Sequence, residues 1–323
     1  MIAGLRWLSD YVEFDLPAAE VARLLTERLT ETVVVPSASE DVRGVVAARV
    51  VTCEPHPDAD TLAVSVVDYG AGSTTVVCGA PNVRAGMTTA YAPPGAVIAG
   101  GRRIAEQKIR GRASRGMLVS AEELGLEESS EGILELPDEV APGDDLTDPL
   151  GLSDRAIELD VQPNRPDCLG MIGVARELAA VVGSELRTPR PRIEQSAPPA
   201  SELVRLTVED TEGCPGYIAR VIDGLTVGPS PLWLQARLRS AGQRSISNIV
   251  DVTNFVMLEY GHPVHGFDLD TLRERHIVVR RAGSGETIRT LDDEERRLDE
   301  SHLLICDGPT PIALAGIMGG AGS

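Results

Sequence analysis

The feature that most constrains the fold is a series of short β-rich segments, interrupted by Gly, Pro and Asn, between about residues 42 and 98. The segment VRGVVAARVVTCEPHPDADTLAVSVVDYG holds two β-rich runs, and TTVVCGAPNVRAGMTTAYAPPGAVI continues with more short strands. Short strands at regular spacing are typical of a small barrel or sandwich. The acidic, turn-rich segment ESSEGILELPDEVAPGDDL ends this series near residue 148. Because helical patterns lie on both sides, the sequence predicts a barrel inserted into another domain.

The flanking segments have helical spacing of apolar residues. DLPAAEVARLLTERLTE, residues 15–31, predicts a helix with Asp15 as its N-cap and an apolar face that belongs to the core. SDRAIELD, residues 153–160, predicts a strand, and MIGVARELAAVVG predicts a helix with Gly183 as its C-cap.

A linker and a second domain follow. TPRPRIEQSAPPASE, residues 188–202, has the composition of a linker. The remainder predicts an α+β domain that begins with LVRLTVED and includes a strand at YIARVID. Its predicted helices are PSPLWLQARLRSAG and ISNIVDVTNFVMLEYG, and its further strands are HIVVRRA, HLLICD and PIALAGIMGG. Glycine-rich turns normally connect elements, so the final IALAGIMGGAGS leads us to expect a truncated domain.

Length and composition restrict the class of protein. A chain of 323 residues is too long for one compact core and predicts two or three domains. The five cysteines are scattered without short spacings, which disfavours a disulfide framework or a zinc site. We find neither a signal-peptide pattern nor an apolar run of membrane-span length, so the sequence predicts a cytoplasmic protein without membrane contact.

The charge is unevenly distributed. A net charge of −19 argues by itself against nucleic-acid binding. The segment GRRIAEQKIRGRASRG, residues 101–116, nevertheless carries six cationic side chains against one carboxylate, Glu106. On spacing alone this segment is either a solvated hairpin or a phosphate-binding surface, and the residues leave both alternatives open.

The stretch EYGHPVHGFDLD, residues 259–270, holds two histidines three positions apart. Because Pro263 follows His262, the two cannot form a helical pair of metal ligands. A turn role is favoured for His262, Asp268 and Asp270, and we predict no metal site. Asp251 and Asn254, one helical turn apart, are either structural hydrogen-bonding groups or residues of a pocket.

Three motifs carry a family resemblance. HPDADTL, VVCGAPNVRAGM and IRGRASRGMLVSAEELGL resemble the OB-fold tRNA-binding module of several proteins associated with aminoacyl-tRNA synthetases. The resemblance implies that the basic segment contacts tRNA, mainly through the backbone phosphates, because aromatic side chains for base stacking are nearly absent from this region. The implied tRNA-binding residues are Arg102, Arg103, Lys108, Arg110, Arg112, Ser114 and Arg115.

The flanks extend the resemblance to the whole chain. WLSDYVEFDLPAAEVARLLTERLTETV, VQPNRPDCLGMIGVARELAAVVG and RSISNIVDVTNFVMLEYGHPVHGFDLD resemble the β subunit of bacterial phenylalanyl-tRNA synthetase. This resemblance implies a multidomain α+β fold in which an OB-fold β-barrel is inserted in a small α+β domain. The implied parts are a B1-type domain at 1–38 and 149–190, the OB-fold domain at 39–148, a linker at 191–202, and a C-terminally truncated B3/B4-type editing domain at 203–323.

The resemblance also implies an activity. Enzymes of this family are α₂β₂ heterotetramers in which the α subunit joins phenylalanine to tRNA(Phe) with ATP and Mg²⁺. The β subunit binds tRNA and hydrolyses Tyr-tRNA(Phe), and we expect a fragment of it to hold neither ATP nor Mg²⁺. A second site is useful because a largely apolar pocket rejects an isostere that adds one hydroxyl by only about 100-fold.

By the same resemblance, His265 and Arg244 are the implied catalytic residues of editing, and Asn254, Gly316 and Gly319 form the pocket wall. His265 would orient or deprotonate the attacking water, and Arg244 would hold a phosphate or the terminal ribose. The glutamate that meets the tyrosine hydroxyl is implied to lie beyond Ser323. Two alternatives stay open at this point, namely a free-standing trans-editing hydrolase and a non-catalytic tRNA-binding or assembly module.

Overall fold

The structure is a computed structural model that describes residues 1–195 and 198–322. Its contacts divide the chain into two units. Unit 1 comprises Met1–Thr188 and Pro229–His262, and unit 2 comprises Pro189–Gly228 and Pro263–Ser323. Ser196, Ala197 and Ser323, which belong to the predicted linker and the predicted last domain, lie outside the described residues.

The helices and strands follow in chain order. The helices are α1 (Leu5–Leu8), α2 (Ala18–Arg28), α3 (Met171–Val182), α4 (Ala200–Leu203), α5 (Leu232–Ser240) and α6 (Asn248–Tyr260). The strands of unit 1 are β1 (Ile2–Gly4), β2 (Thr32–Val35), β3 (Val46–His56), β4 (Ala59–Asp68), β5 (Ser73–Cys78), β6 (Thr88–Ala92), β7 (Val97–Ile98), β8 (Arg102–Arg103), β9 (Glu106–Ile109), β10 (Arg112–Arg115), β11 (Met117–Leu118), β12 (Glu135–Leu136) and β13 (Ala156–Leu159). The strands of unit 2 are β14 (Arg205–Val208), β15 (His276–Arg281), β16 (Thr287–Arg289), β17 (Glu295–Arg297), β18 (Leu303–Asp307), β19 (Thr310–Leu314) and β20 (Met318–Gly319).

The helix predicted at 15–31 is confirmed as α2, but the prediction of Asp15 as its N-cap is wrong. Pro17 occupies the N-cap position with extended backbone, and it makes no side-chain cap bond. The residue before a proline is disfavoured in the helical conformation, so Leu16 cannot serve as a first helical residue after Asp15. The helix at MIGVARELAAVVG is confirmed as α3, which ends at Gly183 in the left-handed conformation.

The first core of unit 1 joins segments from both ends of its sequence. A three-stranded antiparallel sheet has the order β1-β13-β2. The ring of Trp7, which is fully buried, stacks on Phe255 of α6 at a centroid distance of 4.5 Å. The Trp7 indole N–H donates to Tyr11 Oη at 2.9 Å, and Tyr11 Oη donates to the Glu259 carboxylate. Burial and this carboxylate raise the pKa of Tyr11. The segment 229–262 is therefore an integral part of the core built around α1.

The predicted β-rich region forms a six-stranded sheet with the order β11-β6-β3-β4-β5, in which β12 also pairs with β6. Strands β9 and β10 form a separate hairpin, as do β7 and β8. Within the described residues the backbone ladders do not close into a ring, so the predicted closed barrel is not found. The predicted mixture of helix and antiparallel sheet is confirmed.

Unit 2 is built on a five-stranded sheet with the order β14-β15-β18-β19-β20, in which only β14 and β15 are parallel. The strands predicted at HIVVRRA, HLLICD and PIALAGIMGG are confirmed as β15, β18, β19 and β20. The prediction of a strand at YIARVID is wrong, because residues 217–223 have no ladder partner among the described residues. Ile218 of this segment is 86% exposed.

The predicted domain limits stay predictions, and the two units follow a different division. Helices α5 and α6, which lie in the predicted editing domain, belong to unit 1. Leu234, Leu238 and Leu258 of these helices are buried in the same apolar cluster as Trp7. None of the helices in residues 1–195 and 198–322 has the length and apolarity of a membrane span.

Candidate functional site

Residues 106–115 of the basic segment form the β9–β10 hairpin, with Ile109 opposite Arg112 and Glu106 opposite Arg115, whereas Arg102 and Arg103 lie in β8. Its two loop residues, Arg110 and Gly111, have φ angles of 44° and 83°. Positive φ at both central residues is the signature of a type I′ turn, which matches the twist of the flanking strands. Arginine is an uncommon residue in this conformation, because a side chain is disfavoured at positive φ. The turn therefore projects a cationic side chain from the tip of the hairpin, where Asn or Asp is the usual residue.

Most cations of the segment are exposed and lack a carboxylate partner. We define the hairpin cations as the four side chains of the basic segment that make no ion pair with any described carboxylate, namely Arg103 of β8 and Lys108, Arg110 and Arg112 of the β9–β10 hairpin. Arg102 instead pairs with Glu123 at 3.0 Å, and Arg115 pairs with Glu106 at 3.3 Å. A group of unpaired, solvated cations leaves this surface able to accept phosphates without first breaking internal ion pairs.

Ser114 does not belong to this exposed set. It is 2% exposed, and its Oγ accepts a hydrogen bond from the Val77 amide of β5 at 3.0 Å. The same Oγ donates to the Gly116 carbonyl at 3.3 Å. Its hydroxyl therefore joins the hairpin to β5, and we omit it from the proposed binding surface. The sequence pattern gave no sign of this burial, because Ser114 lies among exposed residues in the chain.

Of the two aromatic side chains of this region, Tyr91 is held internally and Tyr69 is half-buried. Tyr91 is buried, its Oη donates to the Arg115 carbonyl at 2.7 Å, and burial raises its pKa to about 12. The Tyr69 and Tyr91 rings lie 5.4 Å apart. Gly116 packs so closely here that a Cβ would lie 2.6 Å from the Tyr91 ring. Because Tyr91 is buried, it cannot serve as a base-stacking platform, and the surface favours phosphate contacts.

Arg244 lies in the loop between α5 and α6 of unit 1. The loop begins with a Schellman motif at the end of α5, in which the amides of Gly242 and Gln243 donate to the carbonyls of Arg239 and Leu238 at 2.9 and 2.8 Å. It ends at Ser247, whose Oγ accepts from the Val250 amide and caps α6. The Arg244 side chain is exposed and makes no ion pair within the described residues. Asn254 lies in α6 and is half-buried.

His265, Gly316 and Gly319 belong to unit 2. The His265 ring contacts the edge of Phe267 at a centroid distance of 4.6 Å. The side chain remains exposed to solvent, yet partial burial lowers its pKa below the ordinary value. Gly316 has a φ of 71° in the turn between β19 and β20, and Gly319 lies in β20 opposite Ala313. The five predicted editing residues are thus divided between the two units, and their assembly into one pocket stays a prediction.

Of the three residues with predicted turn roles, Asp268 and Asp270 lie at a turn, and the role of His262 stays a prediction. His262 is exposed and follows Gly261, the left-handed C-cap of α6. Asp268 Oδ1 accepts from the Asp270 amide at 3.0 Å, and Asp270 pairs with Arg275 at 2.8 Å. The described residues contain no group of three His, Cys, Asp or Glu side chains arranged to hold a metal ion.

Unit 2 also has a cleft of about 540 Å³ that the sequence did not reveal. His276 of its lining is held from outside the cleft: the guanidinium of Arg205 donates to His276 Nδ1 at 3.1 Å, and His276 Nε2 is hydrogen-bonded to Thr207 Oγ1 at 2.9 Å. The lining combines carboxylates with cations: Glu209, Arg273, Glu274, His276 and Arg280. Arg273 and Glu274 lie in the turn before β15, and His276 and Arg280 lie in β15. Glu209 directly follows β14, and the parallel pairing of β14 with β15 brings it to the others.

Comparison with known proteins adds two family matches. Residues 45–145 match the family described as a putative tRNA binding domain. Residues 213–323 match the family described as the B3/4 domain. The first match contains the β9–β10 hairpin, and the second contains Arg244, Asn254, His265, Gly316 and Gly319.

Similarity to curated proteins extends over the whole of this chain. The phenylalanine–tRNA ligase beta subunits of Geobacter metallireducens and Anaeromyxobacter dehalogenans are each 47% identical to this chain. That of Syntrophotalea carbinolica is 46% identical over 323 residues. In each case the match covers 100% of this chain and 40% of the relative. The chain therefore spans about two fifths of the length of these relatives.

Proposed function

The chain belongs to the phenylalanine–tRNA ligase beta subunit family, and we propose that it binds tRNA(Phe) through the hairpin cations. The observation that carries this proposal is the exposure of four unpaired cations within the region that matches a tRNA-binding family. On a chain with a net charge of −19, such a local surface supplies the positive potential that a phosphate backbone requires.

The proposal extends to the assembly and the fold. In the whole enzyme the chain is part of an α₂β₂ heterotetramer in the cytoplasm, and the α subunit attaches phenylalanine with ATP and Mg²⁺. The sheet from β3 to β6, together with β9 and β10, is an OB-fold element. Two features support this: the antiparallel order of the sheet, and the bond between Val77 and Ser114 that joins β5 to the hairpin.

Equilibrium binding tests the tRNA proposal directly. The anisotropy of a fluorescently labelled tRNA(Phe) transcript is measured against protein concentration from 50 to 300 mM salt. We expect saturable binding. The logarithm of the association constant should fall linearly with the logarithm of the salt concentration, because cationic side chains that bind phosphates release counterions from the tRNA. Absent or salt-independent binding would contradict the proposal.

We propose further that the chain contributes to hydrolytic editing of Tyr-tRNA(Phe). His265 positions or deprotonates the water, Arg244 holds a phosphate or the terminal ribose, and Asn254, Gly316 and Gly319 form the pocket wall. The lowered pKa of His265 supports the first role, since it keeps the ring neutral and able to accept a proton at pH 7. The exposed, unpaired guanidinium of Arg244 supports the second.

Deacylation of Tyr-tRNA(Phe) tests the editing proposal. His265→Ala is expected to slow the reaction by about 100-fold or more, since a positioned acid or base contributes roughly that factor. His262→Ala is the matched control, because His262 lies in the same segment without a predicted catalytic role, and it should leave the rate unchanged. Absent deacylation by the unmodified chain, or equal effects of the two variants, would contradict the proposal.

The pH dependence of this reaction follows from the same histidine. Because the pKa of His265 lies below its ordinary value of about 6.5, the proton-accepting form dominates at neutral pH. We expect the rate to remain constant as the pH falls from 8 to 7 and to decrease only as it passes through the lowered pKa. An acid limb centred above pH 7 would exclude His265 as its source.

The turn position of Arg110 allows binding and stability to be separated. Asn tolerates the positive φ of a type I′ turn better than Arg, so Arg110→Asn is expected to raise the free energy of unfolding by about 0.5 kcal/mol. The same change removes a hairpin cation and should weaken tRNA binding by about threefold. Urea denaturation and the anisotropy titration measure the two effects. A loss of stability together with unchanged binding would contradict both expectations.

A further inference from the structure

Asp251 is a fully buried carboxylate in the first turn of α6, and both of its oxygens face the loop that carries Arg244. Ser245 Oγ donates to Asp251 Oδ2 at 2.5 Å, and the Ile246 amide donates to Asp251 Oδ1 at 2.8 Å. These donors belong to the two residues that directly follow Arg244. The carboxylate therefore fixes the backbone on the C-terminal side of that arginine.

A third donor connects the same carboxylate to the segment before α5. Ser230, which is buried, donates its Oγ hydrogen to Asp251 Oδ2 at 2.5 Å. The Ser230 carbonyl in turn accepts from Gln235 Nε2 of α5 at 2.7 Å. Burying a carboxylate is costly unless its oxygens are hydrogen-bonded, and three donors together with the N-terminal end of a helix offset that cost here. Asp251 thus ties α5, the loop and α6 together.

The N-terminal side of the loop is fixed independently. The Schellman motif holds Gly242 and Gln243 against the end of α5, and Gly242 has a φ of 75°. Arg244 therefore lies between two anchored stretches of backbone, while its own side chain stays exposed and unpaired. An anchored backbone on both sides confines the position from which the exposed guanidinium can reach a ligand, as a contact in one geometry requires.

We propose that Asp251 is a positioning residue that holds the Arg244 loop in the conformation that receives a phosphate or the terminal ribose of tRNA. This inference rests on the proposed role of Arg244 in binding tRNA. Asp251 is buried and has no contact with solvent, so it acts only through the loop.

A double-mutant cycle tests the proposal. The affinity of the chain for a tRNA(Phe) transcript is measured for the unmodified protein, Arg244→Ala, Asp251→Asn and the double variant. Loss of a charge-assisted contact predicts about tenfold weaker binding for Arg244→Ala, and misplacement of the loop predicts about fivefold for Asp251→Asn. If Asp251 acts through Arg244, the double variant binds no more weakly than Arg244→Ala. We define the salt slope as the steepness with which the logarithm of the association constant falls against the logarithm of the salt concentration. In the unmodified background Asp251→Asn should also lower the salt slope by about 1, as loss of one phosphate contact does.

Asp154→Asn is the matched control for a general loss of stability. Asp154 is a half-buried carboxylate of unit 1 that accepts from the amides of Arg6 and Arg155 at 3.0 and 2.8 Å. Its substitution removes a comparable acceptor and should leave the salt slope unchanged. If Asp251→Asn fails to fold, Ser245→Ala removes one donor and keeps the carboxylate. We expect it to weaken tRNA binding about twofold, and this effect should disappear in the Arg244→Ala background.

The outcomes separate this inference from the proposed function. Unchanged binding by Arg244→Ala would overturn the role of Arg244 and the inference with it. Weaker binding by Arg244→Ala, combined with effects of Asp251→Asn that are absent or fully additive, would overturn only the inference.

Discussion

Replacing the four hairpin cations by alanine is expected to weaken tRNA binding by on the order of 100-fold at 0.15 M salt and to reduce the salt slope by about 3. Arg103, Lys108, Arg110 and Arg112 are exposed and unpaired among the described residues, so their removal breaks no internal ion pair. The free energy of unfolding should therefore change little, because exposed substitutions of this kind fall within about 0.5 kcal/mol each. The anisotropy titration over a range of salt concentrations measures both quantities.

The control for this variant is a second one with the same change in net charge. Four exposed arginines elsewhere in the chain, each without an ion pair among the described carboxylates, are available for it: Arg28, Arg176, Arg190 and Arg297. Replacing these four by alanine should leave the salt slope unchanged and weaken binding less than threefold. Equal losses for the two variants would mean that net charge, rather than the hairpin, governs the affinity, and the proposed surface would be wrong.

Gly173→Ala is expected to destabilise unit 1 by about 3 kcal/mol or more, or to prevent folding. Gly173 lies inside α3, where alanine is normally preferred by about 1 kcal/mol. Here, however, a Cβ would lie 1.7 Å from the carbonyl oxygen of Asp167, which is backbone and cannot rotate away. The helix must therefore separate from the 3₁₀ turn at Pro166–Leu169, and packing overrides helix propensity.

Urea denaturation followed by tryptophan fluorescence measures this effect. Both tryptophans, Trp7 and Trp233, lie in unit 1, so their signal reports on the unit that contains Gly173. Ala180→Gly on the exposed side of α3 is the matched control. It should lower the free energy of unfolding by only about 1 kcal/mol, the ordinary difference in helix propensity between Ala and Gly. A stability gain for Gly173→Ala would contradict the predicted clash.

Local signals were sufficient to predict much of the fold. The helical spacing of α2 and α3 and the left-handed C-cap at Gly183 depend on residues that are close in sequence, and the structure confirms them. The prediction of a strand at YIARVID is wrong because strand formation depends on residues that are distant in sequence. A β-rich segment forms a strand only when it has a ladder partner. The spacing of residues within 217–223 does not indicate whether such a partner is present.

In the candidate site too, features that depend on neighbouring residues were predictable, and features that depend on contacts distant in sequence were not. The cationic side chains of the hairpin are visible in the sequence, but the pairing of Arg102 with Glu123 and the burial of Ser114 depend on strands brought together by folding. Asp251 illustrates the limit most clearly. Its sequence position left a structural role and a pocket role equally open, and only its bonds to Ser230, Ser245 and Ile246 assign it to the loop.

The packing of Trp7 and Tyr11 against α6 has a consequence for biosynthesis. Tyr11 and Glu259 are separated by 248 residues, so the first core of unit 1 cannot close until α6 has left the ribosome. At about 5 to 20 residues per second, the interval between synthesis of the two partners is roughly 10 to 50 s. During that time the apolar face of α1 is without its final cover, whereas the six-stranded sheet between them has all of its strands. The nascent chain is therefore expected to need chaperone protection at α1 for longer than at the six-stranded sheet, although α1 is synthesised before that sheet.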